Sequence, residues 1–499
     1  MKAIMVVGTT SHAGKSFLTT GLCRLLQRQG WRVTPFKGQN MALNAFVTVT
    51  GAEMGHAQAV QAWAAKAVPR VEMNPILLKP QGDMTSQVIL MGKAVGTTRA
   101  QEYYEQYFDR GWRAITQSLA ALAQEFEVVV CEGAGSPAEI NLKHRDLTNM
   151  RVATHLQAAT ILVVDIDRGG AFAHVIGTLH LLEPAERALI KGIVINKFRG
   201  QRSLLESGIT WLEEQTGIPV LGVVPYTQDL FAAEDSLSLM ERRSRPSRED
   251  LRIAVLRLPR IANFTDFEPL DAESGVWLDY VELYQPLGNP DAVIIPGTKT
   301  TIADLQALQT SGMADQLMAY TQAGGTVMGI CGGYQILGQK IHDPQGLEGE
   351  KGSWPGLKLF PIETTIHPHK ITRQQQTTAR YPQLGLPVRG YEIHQGKTQW
   401  LDEDVAPGGE DFSPLFEQAK LGLVNQTQYL WGSYLHGLFD NGAWRRSWLN
   451  GLRQRRGLPP LPTGIGNYQG QREEMLESLA DFVAEHIDLT PILATWEIN

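Results

Sequence analysis

The chain has 499 residues, 43% hydrophobic and 19% charged, which suits two or three large α/β domains with buried sheets. Its net charge of −7 argues against a nucleic-acid or anionic-membrane surface, though local basic groups leave room for a small anionic substrate. Three cysteines without metal-type pairing, a short apolar start (Ala3–Val7) and no later run of about 18 apolar residues lead us to expect a cytoplasmic protein, with neither signal peptide nor membrane span.

The first half alternates short β-branched runs with helical patterns. AIMVVG (3–8), WRVTPF (31–36), FEVVVCE (126–132), TILVVDID (160–167), IKGIVINK (190–197) and IPVLGVVP (218–225) predict parallel strands covered on both faces. Between the first run and a helix expected from Ser16 to Arg28 lies GTTSHAGKS (8–16). Five residues separate Gly8 from Gly14, one more than the usual phosphate-loop spacing. In that strand–loop–helix setting, backbone N–H groups and the helix start attract phosphate oxygens. Lys15 can neutralise the β/γ-phosphates and Ser16 can join a Mg²⁺ shell. Thr10 and Gly14 belong to the same loop, Lys37 follows the second strand, and Asn196 at a strand end is a candidate to read adenine. Glu132, at the end of FEVVVCE, and Glu53 are candidate metal ligands beside Ser16; Asp165 and Asp167 compete for that role. The plain alternatives are a strand-end surface acid and a helix-start acid.

The texture changes at DLFAAEDSLSLMERRSRPSRED (229–250), and a second α/β series begins with LRIAVLRL (251–258), DAVIIPG (291–297), GGTVMGIC (324–331) and LWGSYLHG (430–437). The expected plan is a phosphate-loop domain over 1–235, a linker over 236–250, a second domain over 251–445 and a helical C-terminal extension over 446–499. The stretch 342–415 is expected to be β-structure and loops; HPHK (367–370) within it reads as a solvated loop, not a metal site. Gly329-Ile330-Cys331-Gly332-Gly333 has the form of a nucleophile elbow with Cys for Ser. His436, at the end of an apolar strand about 100 residues later, is the matching base. Cys23 and Cys131 are expected to be packed and inert.

The five-residue spacer resembles the loop of dethiobiotin synthetase and related MinD-like amide-forming ligases, in which ATP activates a carboxylate. Cys331 followed by His436 resembles the class I glutamine amidotransferases. That resemblance implies an oxyanion hole at Gly297 and Gly332 and a glutamine-holding role for Gln335. The family's usual acid two residues after the histidine is replaced by Leu438, so an orienting acid must come from elsewhere or the pair acts as a dyad. Together the two halves imply amide synthesis, with ammonia passed from one site to the other.

Nearly the whole chain is similar to the glutamine-hydrolysing cobyric acid synthases of cobalamin biosynthesis. The phrases that carry this are PFKGQNMALN (35–44), MNPILLKP (73–80), VILMGKAVG (88–96), CEGAGSPAEINL (131–142), DIDRGGAFA (165–173), VINKFRG (194–200), GYEIHQGKT (390–398) and SYLHGLFD (433–440). The resemblance implies amidation of the b, d, e and g carboxylates of adenosylcobyrinic acid a,c-diamide with ATP, Mg²⁺ and glutamine. It also implies corrinoid contacts at Asn40, Asn44, Lys79, Gln87, Glu139, Asn141 and Asp146. His12, His56 and Gln201 depart from the family pattern. Two other readings remain at this stage: the related cobyrinic acid a,c-diamide synthase, and a nucleotide-switched binding protein with a dead glutaminase-like domain, whose support is the missing acid after His436.

Overall fold

The β-branched runs of the first half divide their side chains between two faces. Ile4 and Val6 enter one apolar core while Ala3, Met5 and Val7 enter another, the two-residue alternation of a strand covered on both sides. In the computed structural model, which describes residues 1–82, 84–227, 250–401, 411–427 and 429–496, these runs form a six-stranded parallel sheet. Its order is Val220–Pro225, Ile190–Phe198, Ala159–Asp165, Lys2–Gly8, Val128–Glu132, Val33–Phe36. The carboxyl ends of Lys2–Gly8, Val128–Glu132 and the edge strand Val33–Phe36 deliver Gly8, Glu132 and, one residue beyond Phe36, Lys37 to the same end of the sheet. Cys23 and Cys131 are buried among apolar side chains, and burial pushes both thiols well above the usual range.

The second half builds a seven-stranded sheet in the order Val276–Glu282, Leu251–Arg257, Ala292–Ile295, Thr326–Ile330, Leu430–Ser433, Gly422–Asn425, Ser413–Pro414. The first five strands run parallel and the last two antiparallel. The stretch 342–415 contributes a long hairpin, Ile362–Thr378 with Pro387–Trp400, bulged between Ile366 and Ile371. At that bulge His367 and His369 are exposed, but Lys370 turns inward onto a buried carboxylate. HPHK is thus only in part the solvated loop expected, because Lys370 has an anionic partner to reach.

This hairpin is the surface on which the first domain docks. Ala45, Val47, Leu77 and Ile89 share a small apolar cluster with Tyr391 and Ile393. Tyr391 donates its hydroxyl to Ala45 O at 3.1 Å, Thr372 donates to Gly51 O at 2.7 Å, and Phe264 N–H donates to Asn44 Oδ1 at 3.1 Å.

The C-terminal segment joins the two halves. Trp444, Trp448, Leu449 and Leu452 of helix Gly442–Arg455 lie in the core of the second domain. The chain then crosses to the first domain, where helix Tyr468–His486 sets Leu476, Leu479 and Val483 into the core shared with the helix after the phosphate loop, Lys15–Arg28. Each such aliphatic burial contributes about 1.5–3 kcal/mol. Arg24, wholly buried on that helix, donates to Glu473 and Glu477 at 2.5 and 2.8 Å and to Trp63 O at 2.9 Å. The start of the expected 446–499 extension thus belongs to the second domain's core, and from Tyr468 onward it is a covering layer of the phosphate-loop domain. The 236–250 linker, Asp250 apart, lies outside the described residues. Among the described residues no helix is long and apolar enough to cross a membrane.

Candidate active sites

Loop Gly8–Ser16 is held open by its own chemistry. Gly14 takes φ +100°, and a Cβ there would lie 2.0 Å from Asn196 Nδ2, so only glycine fits. Asn196 donates to Ala13 O at 2.8 Å and accepts from Lys197 N–H. Its amide thus braces the loop at Ala13. Lys15 Nζ caps Thr10 O and Gly135 O at 3.0 and 3.1 Å. His12 sits at φ +59° on the cleft wall.

Glu132 is the hub of this site. It accepts from Ser16 Oγ at 2.8 Å, Lys37 Nζ at 2.6 Å and Gln61 Nε2. Burial pushes its carboxyl up, but the Lys37 ammonium and then the hydrogen bonds outweigh this, so it is held below the usual carboxylate range. A hydroxyl and an ionised carboxylate in contact beside a phosphate loop are hard oxygen donors that fit Mg²⁺, which needs few protein ligands when phosphates complete its shell. Glu53 is not with them. Its carboxylate is buried between Lys79 at 2.9 Å and Lys370 at 2.6 Å. Burial raises its pKa, and the two lysines more than reverse this, holding it at about 2. Asp165 and Asp167 pair with Lys197 and Arg199, each at 3.0 Å. Among the described residues no three His, Cys, Asp or Glu groups converge as a metal cluster.

The cleft beside the loop has a volume of about 860 Å³. Of the expected corrinoid residues, Asn40, Glu139 and Asp146 line it. Asp146 is nonetheless committed locally: its carboxylate accepts from Thr148, Asn149 and Arg151 N–H groups at 2.7–3.0 Å. Asn141 lies exposed in the turn Ile140–Arg145 beside it. Asn44, Lys79 and Gln87 are elsewhere. Asn44 joins the domains, Lys79 and Gln87 are paired across two strands, and Lys79 points into a different cavity. Lys143, Arg145 and Arg168 supply basic groups on the cleft wall that had not been singled out.

That second cavity holds the thiol. Strand Thr326–Ile330 stops at Cys331, which takes φ +53°, ψ −106°, and helix Gly332–Ile336 follows at once. This is the strained elbow the glycines predict. A Cβ on Gly333 would lie 2.0 Å from Ile295 O, so the turn packs against the neighbouring strand only with glycine there. The thiol donates to Ile393 O at 3.5 Å. Gly332 N–H opens the helix and has no intrahelical acceptor. Gly297 packs against His436, 3.3 Å from a Cβ placed there to the ring. Gln335 is fixed by Thr301 Oγ1 at 3.2 Å and Tyr434 at 3.0 Å. All three line the cavity with Cys331.

His436 does have an acid. Asp266, in the turn Phe264–Phe267, accepts from Nδ1 at 2.6 Å and from Gly437 N–H at 2.9 Å. This contact orients the ring with Nε2 toward the cavity, buried and with no hydrogen-bond partner among the described residues. Burial opposes charge on the ring, but Asp266, and after it the Cys331 sulfur, raise its pKa to about 10. Tyr391 stacks on the imidazole with centroids 5.4 Å apart. Asp266 was beyond sequence reasoning because it precedes the histidine by 170 residues.

The fold defines a phosphate-loop domain joined to a second α/β domain that carries the Cys331 elbow. The family described as CobQ/CobB/MinD/ParA nucleotide binding domain matches residues 4–239, and the CobB/CobQ-like glutamine amidotransferase domain matches 252–444. The chain is 76% identical to the cobyric acid synthase of Synechocystis sp. over 99% of this chain and 98% of that one. It is 69% identical to that of Rippkaea orientalis, with 99% of each chain covered. A solved glutamine amidotransferase structure aligns at TM-score 0.31 and 15% identity over 41% of this chain and 99% of that one, too distant to carry an argument. The chain belongs to the cobyric acid synthase family and is an enzyme of that type, a ligase of cobalamin biosynthesis.

Proposed function

We propose that the enzyme converts adenosylcobyrinic acid a,c-diamide to adenosylcobyric acid in the cytoplasm by amidating the b, d, e and g carboxylates, each with one ATP and one glutamine. The carrying observation is the joint presence in one chain of Cys331 at a strained elbow beside an Asp266-held His436, and of Lys15 and Glu132 in an open cleft.

At the first site the substrate carboxylate attacks the γ-phosphorus of ATP, releasing ADP and forming an acyl phosphate. Lys15 and Lys37 balance the charge of the phosphates. Mg²⁺, held by Ser16 and Glu132, would supply further charge neutralisation. Asn40, Glu139, Lys143 and Arg145 are placed to receive the corrinoid rim. At the second site the Cys331 thiol passes its proton to His436 and the thiolate attacks the glutamine amide carbon, while the N–H groups at Gly297 and Gly332 receive the oxyanion. Protonated His436 gives its proton to the departing nitrogen, so ammonia leaves and a thioester remains for water to cleave to glutamate. Ammonia then displaces phosphate from the acyl phosphate.

Incubation with the a,c-diamide, ATP, Mg²⁺ and glutamine, followed by mass analysis, is expected to show four successive amide gains. If instead only cobyrinic acid is accepted, with two gains, the diamide synthase reading replaces this one.

A further inference from the structure

Three lysines line the thiol cavity, Lys79 and Lys299 buried and Lys370 nearly so, and they come from three parts of the chain. Lys79 belongs to strand Ile76–Pro80 of the first domain, Lys299 follows strand Ala292–Ile295 of the second, and Lys370 sits at the hairpin bulge. Lys79 and Lys370 share the carboxylate of Glu53. Lys299 differs. Its side chain is over nine-tenths buried, lines the cavity with Cys331, and among the described residues its Nζ makes neither hydrogen bond nor ion pair. Its nearest acid influence, Glu348, is itself occupied by Ile302 N–H at 3.1 Å and Thr301 Oγ1 at 3.4 Å. Burial lowers Lys299 to about 8, so it is largely charged at neutral pH.

An ammonium withdrawn from water without an anion is costly to keep. Lys79 adds to the same wall, since its –NH₃⁺ has three donors and Glu53 takes one. We propose that Lys299, with Lys79 reaching across from the phosphate-loop domain, forms the subsite for the α-carboxylate of glutamine, so that the glutamine site is complete only when the two domains are docked. This rests on the glutaminase reading of Cys331. It adds that substrate selection at the thiol depends on a residue of the other domain.

The test is release of glutamate from glutamine and of 4-aminobutanoate from 4-aminobutanamide, which keeps the side-chain amide but lacks the carboxylate, by the full-length enzyme with ATP, Mg²⁺ and corrinoid present. Lys299→Met is expected to lower kcat/KM for glutamine about 10–100-fold, chiefly through KM, the range for a lost charged hydrogen bond. The rate on 4-aminobutanamide should change little, so the preference for glutamine shrinks, and Lys299→Arg should restore part of it. Lys79→Met, which leaves Glu53 its second partner Lys370 at 2.6 Å, is expected to shrink the preference in the same direction. A Lys299→Met enzyme that keeps the wild-type preference, or loses both substrates equally through kcat, overturns the proposal. Wild-type enzyme that releases no glutamate from glutamine would overturn the underlying glutaminase reading, a result separable from either variant's.

Discussion

The phosphate-loop cleft and the thiol cavity are both built at the carboxyl ends of parallel strands, yet they are assembled in different ways. The cleft draws Lys15, Ser16, Lys37 and Glu132 from one sheet and opens to solvent across about 860 Å³. The cavity is narrow and draws on distant segments: Cys331 at the elbow, His436 after the fifth parallel strand, Asp266 from an earlier turn, and Lys79 from the other domain. A cleft of that size fits the bulky corrinoid proposed as substrate. The thiol cavity is far smaller and is walled partly by the neighbouring domain, which fits the proposed release of ammonia there.

Replacing Lys15 should cut both nitrogen routes, because each needs the activated carboxylate. Lys15→Ala is expected to slow amide formation about 10³-fold with either glutamine or ammonium, measured by initial rates. Asp266→Asn should act on one route alone. It should lower glutamine-dependent turnover about 10²-fold while sparing ammonium-dependent turnover, and move the His436 titration from about 10 down toward 6.5 or below, visible by NMR. Because the folded pKa is raised, the His436–Asp266 pair contributes stability that is complete below about 6.5 and is lost as pH rises through about 10. Denaturation should therefore show wild type and Asp266→Asn converging over that window.

Glu53→Gln tests the junction between the two regions. Leaving Lys79 and Lys370 without their carboxylate should cost about 3–5 kcal/mol at neutral pH. Glu53 has a lowered pKa, so the deficit should be present above about 4.5 and fade as pH falls toward about 2, read by denaturant titration. Arg28→Ala, which removes the exposed pair with Asp481, should change stability by no more than about 0.5 kcal/mol and serves as the contrast.

Legibility in the sequence followed the same division. The parallel strands, the phosphate loop and the elbow were readable because each is local: continuous β-branched runs, a Gly-Lys-Ser before a helix, glycines around a cysteine. Where a side chain's partners lie far along the chain, its contacts were not legible: Glu53 pairs with Lys79 and Lys370, Asn44 accepts Phe264 N–H, and Asn196 donates to Ala13 O. Asp266 carried no signal in its own neighbourhood. Leu438 marked only where the acid is absent, and Asp266 removes the support for a dead glutaminase. The C-terminal extension read as structural, but that it seals the helix after the phosphate loop depends on Arg24 finding Glu473 and Glu477.

The most direct test of two coupled but separable sites is amide formation by Cys331→Ser with each nitrogen source in turn. The account predicts that glutamine-dependent synthesis disappears while synthesis from added ammonium continues near the wild-type rate. Loss of both, or survival of the glutamine-dependent reaction, would contradict it.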